Sequence, residues 1–446
     1  MKRRFFAGLE NKEIIKETDN IFPKISTDTR TIKDGDFYLP LKGANFDGEK
    51  FIDNAIESGA IGFVTTDISI AEKYKDDSRI KLIALVPDTL IAYMELAKNR
   101  IQEYGFKVVG ITGSSGKTTT KEMVSAVLSA KFKTHKTAKN YNNEIGFCQT
   151  VFEAPEDTEV LILEMGMRGL GEIELITKYA TPDIAIVTNV GTAHIGRLGS
   201  RENIAIAKCE IANFLKKDGT FIAQDDELTK STVKFQGNKI FYSIKDVTNI
   251  CQTIGNSSFD YKNEHFELPI EGNHNIENAL AAINAALILG ESTDLIKKGL
   301  KNFQVIENRW NIERTKDFTI INDAYNANPE SMRATIDTIL NMYKDVVLIL
   351  GNMGELGDDS EYYHSQIGKF INLHPKLGDN STIITVGEFA KHISNEITKC
   401  KTLNFDSNQK VSNYILKNKN IGNILFFKGS RSMKLEEIIE EVKGDF

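Results

Sequence analysis

KVVGITGSSGKTTT, residues Lys107–Thr120, runs from a short β-branched strand into a Gly/Ser turn that closes on Gly116-Lys117-Thr118. A turn of this kind lets the backbone N–H groups of Gly113, Ser114, Ser115 and Gly116 wrap a chain of phosphates. The helix that starts at Lys117, Thr118 and Thr119 adds the positive end of its dipole. Lys117 supplies a mobile positive charge, and the Thr118 hydroxyl is of the type that ligates Mg²⁺ beside a nucleoside triphosphate. Where the general signature opens on Gly, this chain has Ile111, flanked by Gly110 and Gly113. That departure narrows the class of P-loop. A plain strand-to-helix connection has no need of Lys-Thr at its first helical positions, so the stretch reads as a phosphate cradle for ATP.

On either side of the cradle the pattern alternates. From Phe106 to Arg309, KVVGIT, VLILEMG, DIAIVTN and TFIAQ are strand-like and are separated by helical stretches. This predicts a mainly parallel sheet with helices on its faces. The alternation restarts after Arg309 with TIINDAY, DVVLILGN, TIITVGE and NILFFKGS, as expected of a second, Rossmann-like doubly wound unit. Residues before Asp88 read as a small mixed α/β unit, and 88–104 as a bridging helix. The expected organisation is α/β in three domains: 1–88, 89–309 and 310–446.

Composition removes several function classes. With 446 residues, a net charge of −7 and 41% hydrophobic residues, the chain has enough apolar content for several cores and no basic field for nucleic acid. Cys148, Cys209, Cys251 and Cys400 form no CxxC pair, so neither a disulfide framework nor a structural zinc site is expected. The basic start MKRRFFAGLE lacks an apolar core, and no stretch approaches the length of a membrane span. A cytoplasmic monomer is the expected state.

Four side chains stand out beside the cradle. Glu164 ends the apolar run Val160–Leu163, where open parallel sheets present groups to ligands, and its carboxylate suits Mg²⁺. His194 follows the strand DIAIVTN on the loop NVGTAHIG. Lys208 falls on the apolar stripe of a helix expected over 201–216, with Ile204 and Ile211, where a lysine must snorkel or find a partner. Asn278 lies in an Ala-rich helix opened by Asn273, His274 and Asn275, a cluster that N-capping explains in part. Farther on, Arg309 sits at the second junction. Asp323, Tyr325, Asn326 and Asn328 share a strand-end loop before the helix that Pro329 starts.

In this order, TGSSGKTT, LEMG, TNVGTAHIG with AKCEI, GNHNIENALAA, NDAYNANPESM, LGNMGELG and FKGSRSM resemble the cytoplasmic Mur ligases of bacterial peptidoglycan synthesis, over all three units. The resemblance implies an ATP-dependent, ADP-forming ligase that joins D-alanyl-D-alanine to UDP-N-acetylmuramoyl-tripeptide through an acyl phosphate. It further implies that Thr118 and Glu164 hold the ATP-linked Mg²⁺ and that His194 and Lys208 serve a second Mg²⁺. In relatives the lysine at the position of Lys208 is carbamylated. Asn278 and Arg309 would contact the nucleotide, with Asp323 near its ribose, while Asn142 and Asn143 would belong to the substrate approach. Ser26, Asp28, Arg30, Asp47 and Gly48 match positions of the family's uridine-nucleotide domain, although ordinary turn chemistry explains the same residues. The rival readings are the Mur ligase that adds the third amino acid, a folylpolyglutamate synthase, and a non-catalytic ATP-binding module. The His-containing loop and Asn-Pro-Arg motif of the first rival are absent from this sequence.

Overall fold

The computed structural model describes residues 4–43, 45–305 and 309–444. The outermost residues of the first and third expected domains, and 306–308 at the second junction, lie outside that range.

The strand Lys107–Thr112 is the centre of a six-stranded, all-parallel sheet. Its spatial order is Asn238–Tyr242, Thr220–Gln224, Ile184–Val187, Lys107–Thr112, Val160–Glu164, Thr134–Lys136. From Lys107–Thr112 the chain passes to the far edge at Thr134–Lys136, returns to Val160–Glu164, and then crosses to Ile184–Val187 on the other side. The order of strands therefore reverses at the cradle strand, which opens a crevice at its carboxyl end. Register places Glu164 beside Ile111 and Val187 beside Thr112, so three strand ends meet there. Helices cover both faces, and Val108, Val109, Ile111, Leu161, Ile162 and Ile186 are buried. This is why these strands read as continuous apolar runs rather than as alternating ones.

The first sheet has five strands, Glu13–Glu17, Leu82–Leu85, Gly62–Thr65, Phe37–Tyr38 and Ile25–Ser26, with only the first pair antiparallel. Helix Thr89–Tyr104, capped by Asp88 and ended by left-handed Gly105, joins it to the central sheet. Glu95 accepts from Glu10 N at one side of this helix, and Arg100 donates to Val151 O and Ala154 O at the other. The last sheet also has six strands, in the order Asn311–Arg314, Thr319–Asn322, Ile424–Lys428, Val347–Gly351, Thr382–Val386, Lys401–Phe405; all but the first pair run parallel.

Two expectations need correction. The central alternation does not run unbroken to Arg309, because Thr248–Thr253, Asn256–Tyr261 and Glu264–Leu268 form a separate antiparallel sheet before the Ala-rich helix. Thr248–Thr253 is exposed along almost its whole length and Asn256–Tyr261 alternates buried with polar positions, so neither gives an apolar run. The helix expected over 201–216 ends at Cys209 and continues as a single 3₁₀ turn, Glu210–Ala212. There the Glu210 carboxylate accepts from Gly171 N and Glu174 N, which fastens this turn to the start of helix Glu172–Ala180. Among the described residues, no helix is long and apolar enough to cross a membrane.

Ile162 packs in the middle of the central sheet between the strands that carry Val109 and Lys136. Ile162→Ala is expected to lower stability by about 2–5 kcal/mol, seen as a lower urea midpoint at unchanged slope.

Candidate functional site

Helix Lys117–Leu128 begins directly after Gly116, which is left-handed (φ 76°) and has no side chain with which to cap it. Its first N–H groups are therefore available to a ligand. A Cβ on Gly116 would come within 2.5 Å of Asn278 Oδ1, so only glycine suits both the backbone angle and the approach of Asn278. The end of the neighbouring strand holds the turn from behind. Ser114 N donates to Asn189 O and Ser115 N to Asn189 Oδ1, each at 3.0 Å, and Thr188 Oγ1 donates to Ser115 O at 2.6 Å. Lys117 Nζ folds back onto Gly113 O at 2.7 Å. Burial pushes its ammonium below the ordinary lysine range, with Arg309 adding to the effect and Glu164 and Glu355 opposing it.

A cleft of ≈ 1040 Å³ opens over this turn. It is lined by Ser114, Ser115, Gly116, Lys117, Thr118 and Thr119 from the cradle, by Asn142, Asn143, Glu164 and His194, and by Asn278. Arg309, Asp323, Tyr325, Asn326 and Asn328 reach it from the far side. Glu164 is buried. Asn142 Nδ2 donates to its Oε1 at 3.2 Å, while its Oε2 lies 3.7 Å from Lys121 Nζ. Asn143 instead caps helix Glu144–Glu153 through Gly146 N, and Asn328 caps helix Pro329–Met342 while donating to Ser114 O at 3.2 Å. The guanidinium of Arg309 lies 4.1 Å from the Tyr325 ring centroid and that of Arg431 lies 6.0 Å from it. Asp323 is ion-paired with buried Lys428, which also donates to Asn326 O at 3.3 Å.

Lys208 is fully buried and its Nζ has no hydrogen-bond partner among the described residues. Burial, reinforced by Lys117, drives its ammonium well below the ordinary range, against a smaller pull from Glu210. His194 is left-handed (φ 65°), and its Nδ1 lies 2.6 Å from Glu355 Oε2 of the last unit. This contact holds the Glu355 carboxyl below the usual carboxylate range.

Capping does not explain the Asn cluster. Helix Asn273–Ile288 has Gly272 as its N-cap with no side-chain bond; Asn275 Nδ2 donates to Glu271 O, and Asn278 Oδ1 accepts from Thr120 Oγ1. The helix is thereby tied to the cradle helix. Ser26, Asp28, Arg30, Asp47 and Gly48 do not line the cleft. Asp28 caps the turn Thr29–Thr31 and pairs with Arg30 at 2.7 Å, and Asp47 caps the turn that starts at Gly48. Thr188, Asn189, Lys121, Glu355 and Lys428 take part in the site but are not singled out by the sequence reading. Lys121 lies one helical turn beyond Lys117, and Lys428 ends an apolar strand; these are the only local signals either one offers.

Fold and site together define a P-loop protein whose phosphate cradle faces a second doubly wound unit. Three family models match consecutive parts of the chain: the Mur ligase family catalytic domain over residues 23–99, the Mur ligase middle domain over 111–286, and the Mur ligase glutamate ligase domain over 308–431. The UDP-N-acetylmuramoyl-tripeptide–D-alanyl-D-alanine ligase of Bacillus subtilis is 39% identical over 431 residues, covering 94% of this chain and 92% of its own. Two solved structures superpose along nearly the whole chain. MurF from Acinetobacter baumannii has a TM-score of 0.82 at 31% identity, covering 94% of this chain and 93% of that one. MurF from Thermotoga maritima in complex with ADP has a TM-score of 0.83 at 27% identity, covering 95% and 97%. The chain belongs to the Mur ligase family.

Half-buried His274 packs against Trp310 in the wall of the cleft, and loss of solvent around its ring lowers its imidazole from 6.5 to about 4. Between those values the unfolded chain binds the proton that the folded one refuses, so stability falls as pH drops from 6.5 toward 4. The expected loss from this group is up to about 3 kcal/mol, read as a fall in Tm on acidification that is smaller in His274→Gln.

Proposed function

We propose that this Mur ligase joins D-alanyl-D-alanine to UDP-N-acetylmuramoyl-tripeptide at the expense of ATP, forming ADP and phosphate in cytoplasmic peptidoglycan precursor synthesis. The observation that carries the reading is the convergence of the uncapped cradle helix, buried Glu164 and the Arg309–Tyr325 pair on one cleft. The relative of that name, matched at 39% identity almost end to end, supports this substrate pair over a third-residue ligase or a folylpolyglutamate synthase. Intact Lys117, Glu164, His194 and Lys208 speak against a non-catalytic module.

In this reading residues 1–88 hold the uridine nucleotide through Ser26, Asp28, Arg30, Asp47 and Gly48. Residues 89–309 hold the triphosphate, and 310–446 bring Asp323, Tyr325, Asn326 and Asn328 over it. Asn278, Arg309 and Asp323 position the nucleoside, and Asn142 and Asn143 flank the muropeptide. In this reading the chain works as a monomer.

A carboxylate accepts an amine only after it has gained a leaving group. The tripeptide's terminal carboxylate oxygen attacks the γ-phosphorus and ADP departs; the dipeptide amine then attacks the acyl carbon and phosphate departs. Lys117 lies where it can neutralise charge on the transferring group. The donor set suits Mg²⁺, which takes one or two protein oxygens together with substrate phosphates: Thr118 and Glu164 would hold one ion, and His194 with a carbamylated Lys208 the other. Bound there, the ions stabilise the charge that builds up on the phosphoryl oxygens. An unpaired buried ammonium costs several kcal/mol, whereas attack of the Lys208 amine on CO₂, with loss of a proton, gives an anion that a metal or Lys117 can pair.

With UDP-N-acetylmuramoyl-tripeptide, ATP and Mg²⁺, phosphate release is expected only when D-alanyl-D-alanine is added. L-Lysine, diaminopimelate or glutamate as the sole acceptor should give none, and release with one of these in its place would reassign the enzyme. Lys117→Ala is expected to lower kcat by about a thousandfold or more; full activity in that variant refutes the assignment. Incubation with ¹³C-bicarbonate should give a carbamate resonance that Lys208→Arg lacks.

A further inference from the structure

The loop that carries Glu355 follows strand Val347–Gly351 and is held firmly within the last unit. Met353 N donates to His364 Nε2 at 2.9 Å, and Asn352 Oδ1 accepts from Phe389 N and Ala390 N. It is also fitted to the loop of His194. Gly196 N donates to Glu355 O at 3.1 Å, and a Cβ on Gly196 would stand 2.5 Å from Gly357 N. The backbones touch because neither glycine has a side chain. At this contact two residues other than glycine, His194 (φ 65°) and Glu355 (φ 62°), adopt left-handed backbone, a conformation kept where surrounding structure enforces it. Their side chains meet at 2.6 Å, Nδ1 to Oε2.

The other charged groups near Glu355 are Arg168, Arg197 and His194 itself, with Lys117 across the cleft. A carboxylate on the Nδ1 side of an imidazole fixes the ring and leaves Nε2 as the nitrogen with a free lone pair, the arrangement in which histidines serve metals. We propose that Glu355 is a positioning residue for His194: docking of the last unit through the Gly196–Gly357 contact sets the His194 ring so that Nε2 faces the cleft, and the second divalent cation is held tightly only in that docked state. This rests on the reading of His194 as a ligand of that cation. It gives the LGNMGELG segment a task at a site on the other side of the cleft.

Mn²⁺ binding to the full chain, followed by electron paramagnetic resonance with a non-hydrolysable ATP analogue present, tests the proposal without turnover. The native protein is expected to bind two ions. Glu355→Ala should weaken the second about 10–100-fold and leave the first within about twofold, while Glu355→Asp recovers part of the loss. Gly196→Val, which keeps both side chains of the pair but blocks the backbone approach, should weaken the second ion as Glu355→Ala does. An unchanged second ion in Glu355→Ala and Gly196→Val, together with its loss in His194→Ala, overturns the positioning role and leaves the His194 reading intact. An unchanged second ion in His194→Ala overturns both.

Discussion

The N–H groups of the first turn after Gly116 meet no capping side chain from their own N-cap residue, and the whole phosphate site depends on that omission. Several other helices carry such a cap, Asp88, Asn143, Ser200, Asp226, Ser292 and Asn328 each accepting from the turn they precede, whereas the helices after Gly171 and Gly272 also lack one. Such a cap contributes about 1 kcal/mol. The cradle helix forgoes it and is stabilised by packing, with Met123, Val124, Val127 and Leu128 fully buried and Asn278 bonded to Thr120. The turn itself is fixed by Thr188 and Asn189, so its donors are presented in one geometry before any ligand arrives. Preorganised donors of this kind favour negative charge without reorganising during the reaction.

Charge around the cradle is placed with the same economy of groups. Burial disfavours the charged form of both Lys117 and Lys208, and the carboxylates near them, Glu164 and Glu355 for Lys117 and Glu210 for Lys208, offset it only in part. An anionic ligand relieves that burden. Glu164 is the counterweight, set between Asn142 and Lys121 so that one of its oxygens has no hydrogen bond of its own. The Asp323–Lys428 pair repeats the pattern on the facing sheet, where a strand-end lysine and a loop carboxylate hold each other at the rim of the same cleft.

What could be read from the sequence was what is local. Strand, turn, Lys117 and helix lie within 14 residues, and the parallel strands announce themselves because both faces are buried. The Asp88 cap and the Pro329 start are equally local signals. What escaped was set by partners far along the chain. Thr188 and Asn189 support a turn more than 70 positions earlier, Lys428 pairs 105 positions away, and Glu355 meets His194 across two sheets. Asn278 looks like part of a capping cluster in isolation and acts as a tether only because the cradle helix lies against it, while Asn275 and Asn273 bond Glu271 O and Gln252 instead. The antiparallel sheet of 248–268 escaped for the opposite reason, since its exposed faces carry the polar residues of a turn.

The two doubly wound units meet in two different ways, and the difference bears on how the cleft can work. Near the junction the contact is apolar: buried Trp310 has its ring 5.9 Å from both His274 and Phe426. At the lip it is polar, with Asn328 to Ser114, Thr192 to Glu330, Gly196 to Glu355 and the His194–Glu355 pair. Separating the lip exchanges a few hydrogen bonds for water at small net cost, whereas separating the junction would expose aromatic surface worth several kcal/mol. The lip is therefore the weaker of the two contacts. An acyl phosphate is lost to water if the cleft stays open, and substrates cannot enter if it stays shut. The apolar junction around Trp310 thus carries most of the energy that holds the two units together, and the polar lip adds little to it.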